Sequence, residues 1–386
     1  MTTLTTRRDL LGLPSHATQA AAATGTVVVV FQRFAADWIN LLVPAGDPDY
    51  ARLRSNVRID NPLPLDGYFG LHPALSPLQP LYQAGSLGFV TATGWLPESL
   101  RDRSHFQAQQ LAEAGGATGV DGGWLGRGMN ALGPQSNLWA GLAAESSAPV
   151  SLEGYNGTIA LQDFSTYDHG SVAGVGATAL IESLAAMAGE RGQALRNLSA
   201  SMQAIQAEPP APTALDYPNT NLGRGLRTAA EAIRHGLTPR VITVTSDDDW
   251  DTHVNQLSRH EAALPNFAAA LRSFHDDLGE RMADVTLVTL TEFGRKAIEN
   301  FSGTDHGTAF SMLLMGGRVR GGQVLGQWPG LAQAQLFQNE DLMPTTDFRS
   351  VLGEVWGRHS QADDDTLERV LPGGYATRPN WLGCMT

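Results

Sequence analysis

Short, uninterrupted apolar runs recur along the chain, and each ends abruptly in polar residues. Thr26-Val-Val-Val-Val-Phe31, Val241-Ile-Thr-Val-Thr245 and Val285–Leu290 are rich in β-branched residues, the pattern of strands buried on both faces. Ser86–Thr93 and Met312–Met315 predict two further strands, Leu138–Leu142 and Val150–Leu152 two shorter ones, and Gly316–Gly322 a turn-rich hairpin. Helical spacing marks Arg101–Leu111, Gly223–His235, Leu264–Leu278 and Asp347–Trp356, the last with Thr346 or Asp347 as its cap. A short helix is expected near Trp124–Arg127, and no more than a short one over Leu75–Tyr82, where Pro77 and Pro80 interfere. Strand, helix, strand with polar residues at the strand exits predicts an α/β fold, a three-layer sandwich with a mainly parallel central sheet. The chain from 25 to 386 is expected to form one domain. It carries a helical insertion around 174–236, where the Ala-rich stretch Ala177–Ile205 precedes the Pro-rich loop Pro209–Pro218.

In an open sheet of this kind, ligands gather outside the carboxyl ends of the strands. Three predicted strands end in groups suited to chemistry. The first delivers Asp37 and Asn40, the second Asp251-Thr-His253, and the third Glu292 and Arg295, with Asp305-His306 following inside a Gly-bounded GTDHG. Residues two apart in an extended segment point to the same side, so Asp251 and His253 can meet one cation. The set offers enough carboxylates and imidazoles for two cations roughly 4 Å apart, a spacing that clamps a transferring phosphoryl group. Plainer readings stand beside these: Glu292 and Arg295 as a surface ion pair, Asp305 as a turn residue, Asp247–Asp249 as a solvated turn. Ser104 and His105 are adjacent on a predicted helix and do not face each other, so Ser104 is either activated by a metal or caps the helix. Arg127 and Arg295 are candidates for holding an anion in bidentate fashion, or for structural salt bridges.

Composition narrows the partners. With 26 basic against 39 acidic residues the formal charge is -13, which argues against nucleic acid. Cys384 is the only cysteine, so a bound metal must be held by oxygen and nitrogen. No apolar run approaches the roughly 20 residues of a membrane span. Thr6-Arg7-Arg8-Asp9-Leu10-Leu11 looks like a twin-arginine leader over residues 1–24, with Ala20–Ala23 near a cleavage site. Export to the periplasm or beyond is expected, and a cytoplasmic protein with an eroded signal is the alternative, since Pro14, Ser15, His16 and Gln19 interrupt the apolar region.

Several motifs together resemble the bacterial family catalogued as domain of unknown function 1501. They are Arg7-Arg8-Asp9-Leu10-Leu11, Phe34-Ala-Ala-Asp-Trp-Ile-Asn40, Arg103-Ser-His-Phe106, Gly123-Trp-Leu-Gly-Arg127, Tyr217-Pro218, Trp250-Asp-Thr-His253, Gln256, Thr291-Glu-Phe-Gly-Arg295, Gly303-Thr-Asp-His-Gly307 and Asp347-Phe-Arg349. That family is similar to the alkaline phosphatase and sulfatase superfamily. The resemblance implies an alkaline phosphatase-like fold and one or two divalent metal ions, zinc or else manganese, calcium or iron. It also implies hydrolysis of phosphate or sulfate esters. On it, Asp37, Asp251, His253, Glu292, Asp305 and His306 are the expected metal ligands, Ser104, His105 and Arg295 the catalytic groups, and Asn40 and Arg127 the substrate-binding residues. The expected partner is a small anionic ester or a decorated glycan. Two departures matter: Phe34, Ala35 and Trp38 stand where the family usually has glycine, and Asp249 replaces a glycine before Trp250. They leave two alternatives to the hydrolase: an exported, non-catalytic metal- or glycan-binding protein on a degenerate hydrolase fold, and a metal-dependent oxidoreductase.

Overall fold

All seven residues of the first strand, Thr26–Gln32, are buried, so both faces of the sheet at this point are covered. The computed structural model describes residues 25–116, 122–135, 137–164 and 210–386, together with isolated positions between 171 and 207. The leader and most of the Ala-rich stretch Ala177–Ile205 lie outside the described residues. In chain order the main sheet is built from β1 (Thr26–Gln32), β2 (Leu87–Gly94), β3 (Gly141–Ala143), β4 (Thr158–Ala160), β5 (Val241–Ser246), β6 (Val285–Leu290), β7 (Phe310–Gly316), β8 (Val324–Leu325) and β9 (Thr346–Asp347). In space the order is β8-β2-β7-β6-β1-β5-β3-β4, with β9 also paired to β2. Only β7 runs against its neighbours β6 and β2; the other pairs are parallel.

The helices that position the site are α1 (Trp38–Leu41), α2 (His105–Glu113), α3 (Trp124–Ala131), α4 (Asn221–His235), α5 (Gln256–Leu278) and α6 (Phe348–Ser360). They cover the mainly parallel sheet as in a three-layer α/β arrangement. α4 lies at the end of the expected insertion, yet it packs on β5 and α5 as part of the covering layer. α5 begins eight residues before the predicted start, since Gln256 rather than Leu264 opens it, and it runs through Pro265. Ala263, Leu264, Phe267, Leu271 and Phe274 are buried along it, and that apolar face outweighs the roughly 3 kcal/mol a proline costs inside a helix. Asp347 caps α6 as expected, accepting from the Arg349 backbone N–H at 3.1 Å. Val150–Leu152, predicted as a strand, is a single 3-10 turn after Pro149, and β4 takes the sheet edge instead. Among the described residues no helix is long and apolar enough to cross a membrane.

Candidate metal centre

The three strand exits singled out in the sequence belong to neighbours in the sheet, β6, β1 and β5, all parallel, so their carboxyl ends share one edge. Two further elements close over that edge. One is the N-terminus of α2, which begins at His105. The other is a hairpin of Arg295–Glu299 against Thr304–His306 that pairs Arg295 with His306. The glycines of GTDHG let this hairpin lie directly on neighbouring backbone. A Cβ on Gly303 would sit 2.3 Å from the Thr252 carbonyl oxygen, and one on Gly307 2.5 Å from the Arg295 carbonyl carbon.

Four side chains converge as a result. Asp251 Oδ1 lies 3.0 Å from His253 Nε2, 3.2 Å from His306 Nε2 and 3.5 Å from His105 Nε2. The Nε2 atoms of His253 and His306 are 3.0 Å apart. On the far side of each ring, Nδ1 meets a group that only accepts: Glu292 Oε1 at 2.7 Å for His105, Asp305 Oδ1 at 2.9 Å for His253, and the Arg103 carbonyl at 2.8 Å for His306. These acceptors take the Nδ1 proton in all three rings, which turns each Nε2 toward the same carboxylate oxygen. Three imidazole nitrogens and a carboxylate this close favour a positive charge among them, as a proton or as a metal ion. Imidazoles held from behind by carboxylates or a carbonyl are the usual second layer of a metal site. His105, Asp251 and His306 by themselves form a group with the spacing of metal ligands.

Without an ion the cluster already draws positive charge, in the form of protons. Burial alone lowers the His105 pKa, but hydrogen bonds to Asp251 and Glu292 push it up to about 9. Burial works against ionised Asp251, yet His105, His306 and Arg295 hold its carboxyl far below the usual carboxylate range. Arg295 is 1% exposed and donates to Asp251 Oδ1 at 2.7 Å and to the Thr304 carbonyl at 2.5 Å, which fixes the carboxylate. Aromatic rings wall the cluster. Phe293 stacks on His105 with centroids 5.0 Å apart and lies 4.9 Å from His306, while Phe34 meets His105 edge-on at 5.5 Å.

The expected site residues therefore separate into groups. Asp251, His253 and His306 come together, joined by His105, which the sequence suggested as a catalytic group. Glu292 and Asp305, expected as ligands, stand behind His105 and His253. Asp37, also expected as a ligand, is fully buried. It accepts from Arg54 at 2.5 Å, from Gln256 at 2.6 Å and from the Ile39 N–H at 3.2 Å. Asn40 is buried with Arg54, Tyr50 and the Val57 carbonyl rather than open to a substrate. Arg127 spends its donors on the carbonyls of Ala114, Gly122, Arg369 and Val370. Ser104 occupies the N-cap position of α2, but its exposed side chain makes no capping hydrogen bond. Arg295 clamps Asp251.

Phe34 and Ala35, which replace expected glycines, have φ of 77° and 55°, the left-handed region where glycine is at ease. Phe34 spends that conformation on a 2.8 Å hydrogen bond from its N–H to Glu292 Oε1.

Two supporting residues were given no role by the sequence. Arg54 reaches Asp37 and the carbonyls of Lys296 and Ala297 at the base of the hairpin. Gln256 ties Asp37 to the hydroxyls of Thr252 and Thr304. Gln256 carried a signal, since it recurs among the motifs; Arg54 carried none.

A family model described as "Protein of unknown function (DUF1501)" matches residues 84–371. The chain belongs to the DUF1501 family. No curated protein matches this DUF1501 protein in sequence. A solved structure described as Ps i-CgsB in complex with k-i-k-neocarrahexaose is 10% identical, with a TM-score of 0.33, covering 79% of this chain and 68% of that one. A likeness so distant bears on neither fold nor function.

Proposed function

We propose that this DUF1501 protein holds one divalent transition-metal ion between His105, Asp251, His253 and His306, and that it is an exported hydrolase of phosphate or sulfate esters with an alkaline phosphatase-like fold. The observation that carries the reading is the convergence of three Nε2 atoms on one carboxylate oxygen, each ring fixed from behind. Three imidazoles and a carboxylate suit zinc, manganese or iron; calcium, which takes six to eight oxygens, fits poorly. Among the described residues the cluster supplies donors for one ion rather than two, because Asp37, Glu292 and Asp305 are engaged elsewhere. Such an ion polarises an ester oxygen and makes water acidic near neutral pH.

The protein's own groups then have distinct tasks. Arg295 keeps Asp251 ionised and in place. Glu292 and Asp305 hold the Nδ1 protons of His105 and His253, so those rings present Nε2. Ser104, exposed and free of a capping bond, would be the attacking hydroxyl. Phe34 and Phe293 exclude water from one flank of the imidazoles. The same donor set also suits redox chemistry at manganese or iron, which keeps a metal-dependent oxidoreductase as the second reading.

The test is elemental analysis of protein purified without chelator, followed by a panel of aryl phosphate, phosphodiester and aryl sulfate substrates. One ion per chain and turnover, both lost in His253→Ala, are expected. Stoichiometric metal without turnover of any ester would sink the hydrolase and leave the oxidoreductase and the non-catalytic binding protein.

A further inference from the structure

The edge of the sheet that carries the metal cluster also opens a second, separate cavity of about 180 Å³, on the opposite side of β1 from β6. Its lining comes from the carboxyl ends of four parallel strands: Arg33 after β1, Glu145 after β3, Gln162 after β4, and Thr245 and Asp247 at the end of β5, with Asn221 opening α4. This is the crevice position where open α/β sheets bind ligands. The cavity is wired to the metal cluster. Arg33 donates to Gln109 at 3.1 Å, one helical turn after His105 on α2, and the Arg33 guanidinium lies 5.1 Å from the ring of Phe34, which itself touches His105.

The lining is polar and pre-oriented. Asn221 Nδ2 donates to both oxygens of Asp247 at 2.9 and 2.7 Å, Gln162 donates to Asn221 Oδ1 at 3.3 Å, and Thr245 donates to Glu145 at 2.7 Å. Among the described lining residues two carboxylates outnumber one guanidinium, which disfavours a phosphate or sulfate here and leaves it to the metal. Among the described residues no aromatic side chain lines the cavity, so they offer a nucleobase or aryl group nothing to stack on. What remains is a neutral ligand with many hydroxyls, which donate to the carboxylates and accept from Arg33. At ~30 Å³ per water the space equals about six waters, room for one sugar ring.

We propose that this cavity is a subsite for a neutral, hydroxyl-rich ring, so that the ester taken at the metal centre is borne by a sugar. The ester half of this statement rests on the hydrolase reading; the ring-binding half does not. The test titrates the metal-loaded, full-length protein with glucose, galactose, mannose and N-acetylglucosamine, followed by ligand-observed NMR. Saturable binding of at least one sugar is expected, weakened at least tenfold by Ser146→Trp, which fills the cavity from an exposed lining position, and by the conservative Glu145→Gln, with metal content unchanged in both. Binding of no sugar, binding indifferent to both variants, or Glu145-dependent uptake of Ca²⁺ in place of sugars overturns the subsite. Sugar binding without turnover of any ester removes the hydrolase and leaves the subsite. Turnover of simple aryl esters without sugar binding does the reverse.

Discussion

Asp37 and Asp251 leave adjacent parallel strands, and each meets an arginine, yet their surroundings differ. The Asp37 carboxylate is sealed from solvent and surrounded by donors: Arg54, Gln256 and a backbone N–H. Arg54 outweighs the burial that would raise its pKa, and the carboxyl stays below its ordinary value. The Asp251 side chain is 37% exposed, and beyond Arg295 its Oδ1 faces the imidazole nitrogens of His105, His253 and His306. A carboxylate saturated by hydrogen-bond donors braces a fold. One ringed by imidazoles has the donor set that suits a cation.

The sharpest way to break this contrast is to remove each carboxylate in turn. Asp251→Ala should abolish metal binding, measured as ions per chain after gel filtration. Asp37→Ala should keep one ion per folded chain but lose about 3–5 kcal/mol in urea denaturation, because Arg54 is left buried and unpaired. If Asp37→Ala sheds the ion while stability holds, the two roles have been assigned the wrong way round.

Acid provides the next largest effect. Burial lowers the pKa of His72, His260 and His359 to about 4 each, against 6.5 for a free imidazole. The unfolded chain takes up these protons between pH 6.5 and 4 and the folded one does not, so stability falls as pH drops through that window. Three such sites give a slope of up to about 4 kcal/mol per pH unit. Asp37 has the opposite timing, since its depressed pKa retains its contribution until the pH falls below the ordinary carboxylate range. Urea midpoints of chelator-treated protein that stay flat from pH 6.5 to 4 would refute the histidine contribution.

Behind the ligands, Glu292→Gln should weaken metal affinity about 10–100-fold, as for other residues that orient metal-bound imidazoles. Asp305→Asn should cost less, because its side chain is 45% exposed and water can replace it. Equal losses, read by competition with a metal-sensitive dye, would contradict this ranking. The smallest effect concerns the turn after β1. Ala35→Gly removes a left-handed penalty of roughly 1–2 kcal/mol while deleting a buried methyl worth about 0.8 kcal/mol, so thermal stability should barely change. Ala36→Gly, equally buried but without positive φ, should be clearly destabilising.

The sheet was legible because its central strands are β-branched and buried on both faces: Val285–Leu290 has its predicted limits, and β1 and β5 each extend by one residue. The hairpin that delivers His306 was not, since its strands are short, polar and paired only through tertiary contact. Asp251, His253 and His306 stood out by spacing and strand position. Sequence could not separate Glu292 and Asp305 from ligands, because a carboxylate on a metal and one on the back of an imidazole are the same residue type. Which nitrogen faces which oxygen decides the matter, and that is fixed only when distant segments meet. Ser104-His105 drew attention as a hydroxyl beside a base, and nothing in the sequence shows that the imidazole meets Asp251 and His306.

The three imidazoles are anchored by unlike acceptors: a buried carboxylate, a half-exposed one and a peptide carbonyl. They are therefore unequal electron donors. An ion held among them would meet unequal donors, and His306, tied to the uncharged anchor, would bind it least strongly.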